Sequence, residues 1–132
     1  MKKVTKSVPT TITDKEVKVI ITNYLREFGI SPNINGYNYI REAVFLSIMD
    51  KEMLEKIVKL LYPTVGEAYG TTVSRVERSI RHAIETAYDK GNKEAFEKHF
   101  GFTISHRKGA KPTNSEFIAL LTDEIKLELG LA

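Results

Sequence analysis

The residues best equipped for chemistry lie in one run, Thr71-Thr72-Val73-Ser74-Arg75-Val76-Glu77-Arg78-Ser79-Ile80-Arg81-His82. Arg75, Arg78 and Arg81 recur at every third position, with Glu77 set among them. A guanidinium is a planar fork of N–H donors. It matches two acceptors presented side by side, as on the O6 and N7 edge of guanine or on a phosphate or carboxylate. Glu77 is the odd member, because a carboxylate repels phosphate and adds nothing to plain affinity for a polyanion. It fits either an acceptor for a cytosine amino group or a partner that orients a neighbouring arginine. The plain alternative is a solvated charged face laced with pairs such as Arg81–Glu85.

Helical phasing separates these roles. At about 100° per residue, Val73, Val76, Ile80, Ala83, Ile84 and Ala87 gather on one side of a helix running from about Thr72 to Lys90. Ser74, Arg75, Arg78, His82 and Glu85 lie opposite, with Glu77 and Arg81 on the flanks. Two helices joined by a tight turn bind DNA when the first braces the second in the major groove, and that geometry has requirements of its own. A small residue must sit where the helices cross, and a residue tolerant of positive φ must sit in the turn. An apolar residue some six positions on must anchor the second helix. Gly66, Gly70 and Val76 stand at these offsets, with Val65, Tyr69, Val73 and Ile80 as apolar support. Two helices that simply pack across a glycine would satisfy the same pattern.

The remaining elements also read as helices. Thr13 and Glu16 form a capping box for a first helix, which Gly29 ends. Ser31-Pro32-Asn33 and Asn35-Gly36 punctuate a loop. A second helix is expected from about Tyr37 to Met49. A third, capped by Asp50, should turn Met53, Leu54, Ile57, Val58 and Leu61 inward until Tyr62-Pro63 breaks it. A short fourth covers about Thr64 to Tyr69. After the long helix closes at Gly91, Asn92 caps a short helix to Phe100 that Gly101 stops, with Phe102 to Ser105 extended. His106-Arg107-Lys108-Gly109-Ala110-Lys111 reads as a basic loop. Thr113 and Glu116 form a second capping box, for a last helix with Phe117, Leu120, Leu121, Ile125 and Leu129 inward. No strand alternation or internal repeat is present. The expected class is all-α, about six helices with a helix-turn-helix and no winged-helix additions. Residues 1–12 are expected to be a linker remnant and 13–132 the domain.

Composition narrows the setting. A chain of 132 residues suffices for one core, and the net charge of +3 is a mild pointer to a polyanionic partner. With no cysteine there is no disulfide frame and no thiolate chemistry. No apolar run approaches the roughly 18 residues of a spanning helix, and no apolar stretch follows the basic Met1-Lys2-Lys3. Neither a membrane partner nor a signal peptide is therefore expected. His82, His99 and His106 lack the spacing of a helical metal pair and are expected on the surface. No phosphate loop or nucleophile elbow is present. The expectation is a cytoplasmic, nucleoid-associated protein that is not an enzyme and uses no metal or other cofactor.

Four runs carry a resemblance: Ile34-Asn35-Gly36-Tyr37, Leu61-Tyr62-Pro63, Thr71 through Glu85, and Lys111-Pro112-Thr113-Asn114-Ser115-Glu116-Phe117-Ile118-Ala119. Together they closely resemble the C-terminal effector domain of the stage 0 sporulation protein A family, the sporulation master response regulators, over about Asp14 to Leu129. The resemblance implies a six-helix fold with a helix-turn-helix. It implies a transcription factor that binds elements of the form TGTCGAA and activates or represses promoters at the onset of sporulation. It implies Arg75, Glu77 and Arg78 as base readers. Backbone contacts would come from Thr71, Thr72, Ser74, Arg81, His82 and the basic-loop residues His106, Arg107, Lys108 and Lys111. It further implies head-to-tail pairing of domains on tandem elements and contact with an RNA polymerase sigma factor. A phosphorylatable receiver domain belongs to the full-length protein of that family. The present sequence shows no parallel α/β pattern for one, and Met1-Lys2-Lys3 reads as a linker fused to a start codon. The competing reading is a helical protein-interaction module without DNA specificity.

Overall fold

The computed structural model describes residues 12–104 and 111–131, with side chains described to residue 101 in the first stretch. Seven α-helices appear among them, and no strand. They are α1 (Asp14–Phe28), α2 (Asn35–Met49), α3 (Glu52–Glu55), α4 (Tyr62–Tyr69), α5 (Val73–Lys90), α6 (Lys93–Ile104) and α7 (Asn114–Glu128), with a π-helical turn at Ile57–Leu61. The all-α expectation with a helix-turn-helix holds.

Both capping boxes form. The Glu16 amide donates to Thr13 Oγ1 at 3.1 Å while Glu16 Oε1 accepts from the Thr13 amide at 2.7 Å. Thr113 and Glu116 repeat the exchange at 3.1 and 2.9 Å. Each box satisfies amides that the first turn of a helix leaves without partners. Gly29 ends α1 at φ 83°, a left-handed conformation that glycine adopts without a Cβ clash.

Helix α2 is central and packs against α1, α5 and α7. Its Ile40, Ala43 and Val44 are fully buried, and α1 contributes Val17, Ile21, Leu25 and Phe28. Phe28 centres an aromatic nest, with ring centroids 4.8 Å from Phe96 and 5.0 Å from Phe117. This nest ties α1, α6 and α7 together. The buried stripe of α5 is Val76, Ile80, Ala83, Ile84 and Ala87, as phasing requires. Burying a branched side chain of this kind contributes roughly 1.5–3 kcal/mol relative to exposure. The stripe thereby fixes which face of α5 points outward.

Several local expectations are corrected. Asn35 and Gly36 are the first turn of α2, not a loop. A Cβ on Gly36 would overlap the Ser79 carbonyl oxygen and come within 2.7 Å of Ala83 Cβ. Glycine is required there by the close crossing of α2 and α5. The expected third helix is a single α turn followed by the π turn, in which the Leu61 amide reaches back to the Lys56 carbonyl at 3.0 Å. Lys56, at φ −135° and ψ 65°, leaves the helical region between the two, which breaks the expected phase. Val58 is 66% exposed instead of inward, and Met53, Leu54 and Ile57 are half-buried. Tyr62-Pro63 does not interrupt the helical backbone, which continues from the π turn into α4. Pro63 lies in the first turn of α4, where its missing N–H costs least. Helix α6 runs through Gly101 to Ile104 rather than stopping at Phe100. Gly101 is not among the positive-φ glycines, and the buried Phe96 and Phe100 hold the helix on the core before it. In α7, Phe117, Ile118, Leu121 and Ile125 are buried, whereas Leu120 and Leu129 are half-buried.

Candidate nucleic-acid interface

The helix-turn-helix is built from α4, the turn 70–72 and α5. Gly70 takes φ 64° and ψ 38°, which only glycine adopts readily, and the Thr71 amide returns to the Gly66 carbonyl at 2.8 Å. Gly66 is buried, and a Cβ there would stand 2.8 Å from the Thr71 carbonyl oxygen. Its smallness thus makes room for the turn itself. Thr72 is the N-cap of α5, its hydroxyl oxygen accepting from the Arg75 amide at 3.1 Å. Val76 is fully buried and anchors the helix, with Val65 and Ile80 beside it. Tyr69 and Val73 are more exposed than the sequence suggested, at 43% and 37%. Tyr69 instead lays its ring edge-on to Tyr39 at 5.3 Å.

One brace was not anticipated. Asn114, buried at the start of α7, donates through Nδ2 to the Tyr62 hydroxyl and to the Glu77 carbonyl oxygen, each at 3.1 Å. A single amide therefore ties α7 to both helices of the motif. Burial raises the pKa of the Tyr62 hydroxyl and the charge of Glu77 adds to this, while the bond from Asn114 opposes it. An Asn directly after an N-cap Thr reads in sequence as another solvated first-turn residue, so nothing local announced it.

The outward face of α5 carries Ser74, Arg75, Arg78, Arg81 and His82, all exposed, with Glu77 half-buried and Thr71 half-buried at the turn. The structure brings these seven together with Thr72 along one ridge. A cleft lies on each side of it. One is lined by Asn33, Ile34, Asn35 and Gly36 against Arg78, Ser79 and His82. The other is bounded by Ile57, Val58 and Tyr62, by Glu77, Arg81 and Glu85, and by the chain from Lys111 to Ser115. Lys111 reaches back to α5 and pairs with Asp89 at 3.0 Å. His106, Arg107 and Lys108 lie outside the described residues.

The ion pair on this ridge joins Glu77 to a neighbouring arginine, in place of the Arg81–Glu85 pair of the plain alternative. Arg81 donates to Glu77 through both Nε, at 3.0 Å, and Nη2, at 3.3 Å, rather than to Glu85. The hydrogen bonds and charge of Glu77 raise the Arg81 guanidinium above its ordinary pKa. The spacing did contain the signal, since an acid four residues N-terminal to a base is the better helical orientation.

A further cluster contradicts a surface assignment. His99 has a side chain only 8% exposed, with Nδ1 2.8 Å from Glu124 Oε1 and Nε2 3.3 Å from Glu27 Oε1. Its ring lies 5.1 Å from Phe28 and 5.9 Å from Tyr24. It is a bridge between α1, α6 and α7. Among the described residues no group of three acidic, His or Cys side chains is arranged to hold a metal, and no helix is long and apolar enough to cross a membrane.

The family model described as "Sporulation initiation factor Spo0A C terminal" matches residues 21–125. The match spans the central helix, the whole helix-turn-helix and the start of α7 that braces it. With a helix-turn-helix whose charged face is held outward by a buried stripe, the chain belongs to this family of C-terminal domains of the sporulation initiation factor Spo0A, DNA-binding domains that regulate sporulation transcription.

Proposed function

We propose that the domain binds promoter elements of the form TGTCGAA, and through them activates or represses genes at the onset of sporulation. The observation that carries this reading is the outward face of α5. Arg75 and Arg78 stand exposed on a helix that is capped, anchored by Val76 and braced from α7. Rigid presentation matters, because a fork reads the guanine edge only when both N–H groups arrive aligned. Arg75, Glu77 and Arg78 are assigned to base edges. Thr71, Thr72, Ser74, Arg81, His82, Lys111 and the loop residues His106, Arg107 and Lys108 are assigned to the DNA backbone. Lys111 can leave Asp89 for a phosphate at little cost, since an exposed pair contributes about 0–1 kcal/mol.

The domain works in the cytoplasm by binding rather than by catalysis. Its further partners are a second copy arranged head to tail on tandem elements, an RNA polymerase sigma factor, and a receiver domain in the full-length protein.

A titration of labelled duplexes tests the assignment. The TGTCGAA duplex should bind more tightly than a scrambled one at moderate salt, with affinity falling steeply as salt rises. Identical titrations would defeat sequence-specific reading. Arg78→Ala should cost roughly 1–3 kcal/mol and relax preference at one base pair, whereas Lys111→Ala should weaken all duplexes alike and lower the salt slope by about one. Equal behaviour of the two variants would defeat the division of roles.

A further inference from the structure

We propose that Arg81 is a positioning residue for Glu77, holding that carboxylate in the one orientation in which it can accept from a base amino group. This rests on the reading of α5 as the helix that meets the bases.

The problem it solves is physical. A free carboxylate carried into a DNA groove meets the field of the phosphates, and its side chain has several rotamers to choose from. Both difficulties favour withdrawal of Glu77 from the bases. In the structure the carboxylate is neither free nor isolated in charge. Arg81 grips it through two different nitrogens, Nε and Nη2, at 3.0 and 3.3 Å. Two-point contact fixes the carboxylate plane, which a single-point cation would leave free to turn. The adjacent positive charge offsets the repulsion from phosphate. The backbone beneath is fixed as well, because Asn114 Nδ2 donates to the Glu77 carbonyl oxygen at 3.1 Å. Glu77 is thus held at both its main chain and its side chain.

Neither group is exhausted by the pair. A guanidinium has five N–H donors and two are engaged, so three remain for a neighbouring phosphate. A carboxylate has about four lone-pair sites, so Glu77 keeps acceptor capacity for an amino group. The pair is 49% and 40% exposed at its two side chains, open to a ligand and not sealed into the core. At that exposure it adds little to folding. The two-point grip distinguishes it from Lys56–Glu52, another i,i+4 pair among the described residues, where only a single 3.1 Å contact is made.

The test separates charge from geometry. Arg81→Lys keeps the positive charge but cannot make the two-point grip. The probes are the TGTCGAA duplex, its full series of single base-pair substitutions and a scrambled duplex, each titrated across a range of salt. Glu77→Gln first defines the base pair that Glu77 reads, as the position where preference disappears. Arg81→Lys should then reduce preference at that same base pair, by about tenfold if the full value of one good base contact is lost. Its salt slope should match the parent, and its circular-dichroism melt should be unchanged. In a Glu77→Gln background the added Arg81→Lys change should have no further effect on preference. The proposal is overturned if Arg81→Lys keeps the parental preference, if it weakens all duplexes equally, if its effect persists undiminished in the Glu77→Gln background, or if Glu77→Gln itself relaxes no base pair. A parent that fails to separate the TGTCGAA duplex from the scrambled one would instead defeat the reading of α5 as a base-reading helix, a different result seen before any variant is made.

Discussion

Two of the places where this domain sets a nitrogen-bearing side chain against carboxylates differ in almost everything else. On α5, Arg81 meets Glu77 within one helix, at four residues' separation and with both side chains substantially exposed. Between helices, His99 of α6 meets Glu27 of α1 and Glu124 of α7, with an imidazole that is nearly buried. The first pair is open to solvent on both sides. The second joins three helices through one imidazole. Lys98 adds a contact to Glu27 at 3.1 Å, and the Tyr24 hydroxyl donates to Glu128 at 3.1 Å, so one end of the bundle is laced by charge. Burial pushes the Tyr24 hydroxyl up, and the Glu128 bond adds to it, to about 12. Exposure therefore separates a contact open to solvent within one helix from one that holds three helices together.

The largest effect should come from the buried site. His99→Ala leaves a gap beside Phe28 and Tyr24 and removes one contact from each of Glu27 and Glu124. It should cost about 2 kcal/mol or more, lowering the melting temperature by at least about 5 °C. A melt within 1–2 °C of the parent, roughly the scatter expected of a neutral surface change, would erase the distinction between the two places. DNA preference at each base pair should be retained at a temperature where the variant is folded.

A smaller effect should appear with acid. Burial alone would raise the Glu27 carboxyl, but hydrogen bonds from Lys98 and His99, with their charge, outweigh it and hold the pKa below the ordinary 4.5. A carboxyl with a depressed folded-state pKa stabilises the fold above its unfolded value, and that contribution is lost as pH falls through the folded value. Glu27 thus contributes fully above about pH 4.5 and progressively less below it. Glu27→Gln should flatten the acid limb of a melt-against-pH curve in that window, and an unchanged limb would refute the assignment. The smallest effect belongs to the exposed pair. Arg81→Ala should leave the melt within about 2 °C of the parent, because pairs exposed on both sides contribute little. A large drop would make this pair structural and remove the contrast.

The cluster at His99 also shows where sequence reading stops. Its neighbours are 72 residues away at Glu27 and 25 away at Glu124, and no periodicity links such positions. His99 sits among Lys98 and Glu97 and reads as part of a charged surface. Gly36 is a second instance. Beside Asn35 it carries a turn signature, yet it is needed because α5 passes directly over it. The stretch 56–61 is a third, since the backbone leaves the helical region at Lys56 and the π turn after it leaves Val58 exposed.

What the sequence determined by itself is local and periodic. The capping boxes at Thr13 and Thr113, the left-handed glycines at 29 and 70, the limits of α5 and its split into a buried stripe and a charged ridge all follow from spacing along one helix. These depend on contacts within about four residues, where the chain's own geometry leaves little choice. The tertiary structure alone decided which side chains meet from different helices. It placed Asn114 across both helices of the motif, sank His99 between two carboxylates and closed α2 onto α5 at Gly36. Those contacts depend on how the buried stripes of separate helices share one core, and the pattern of any single helix is compatible with several such arrangements.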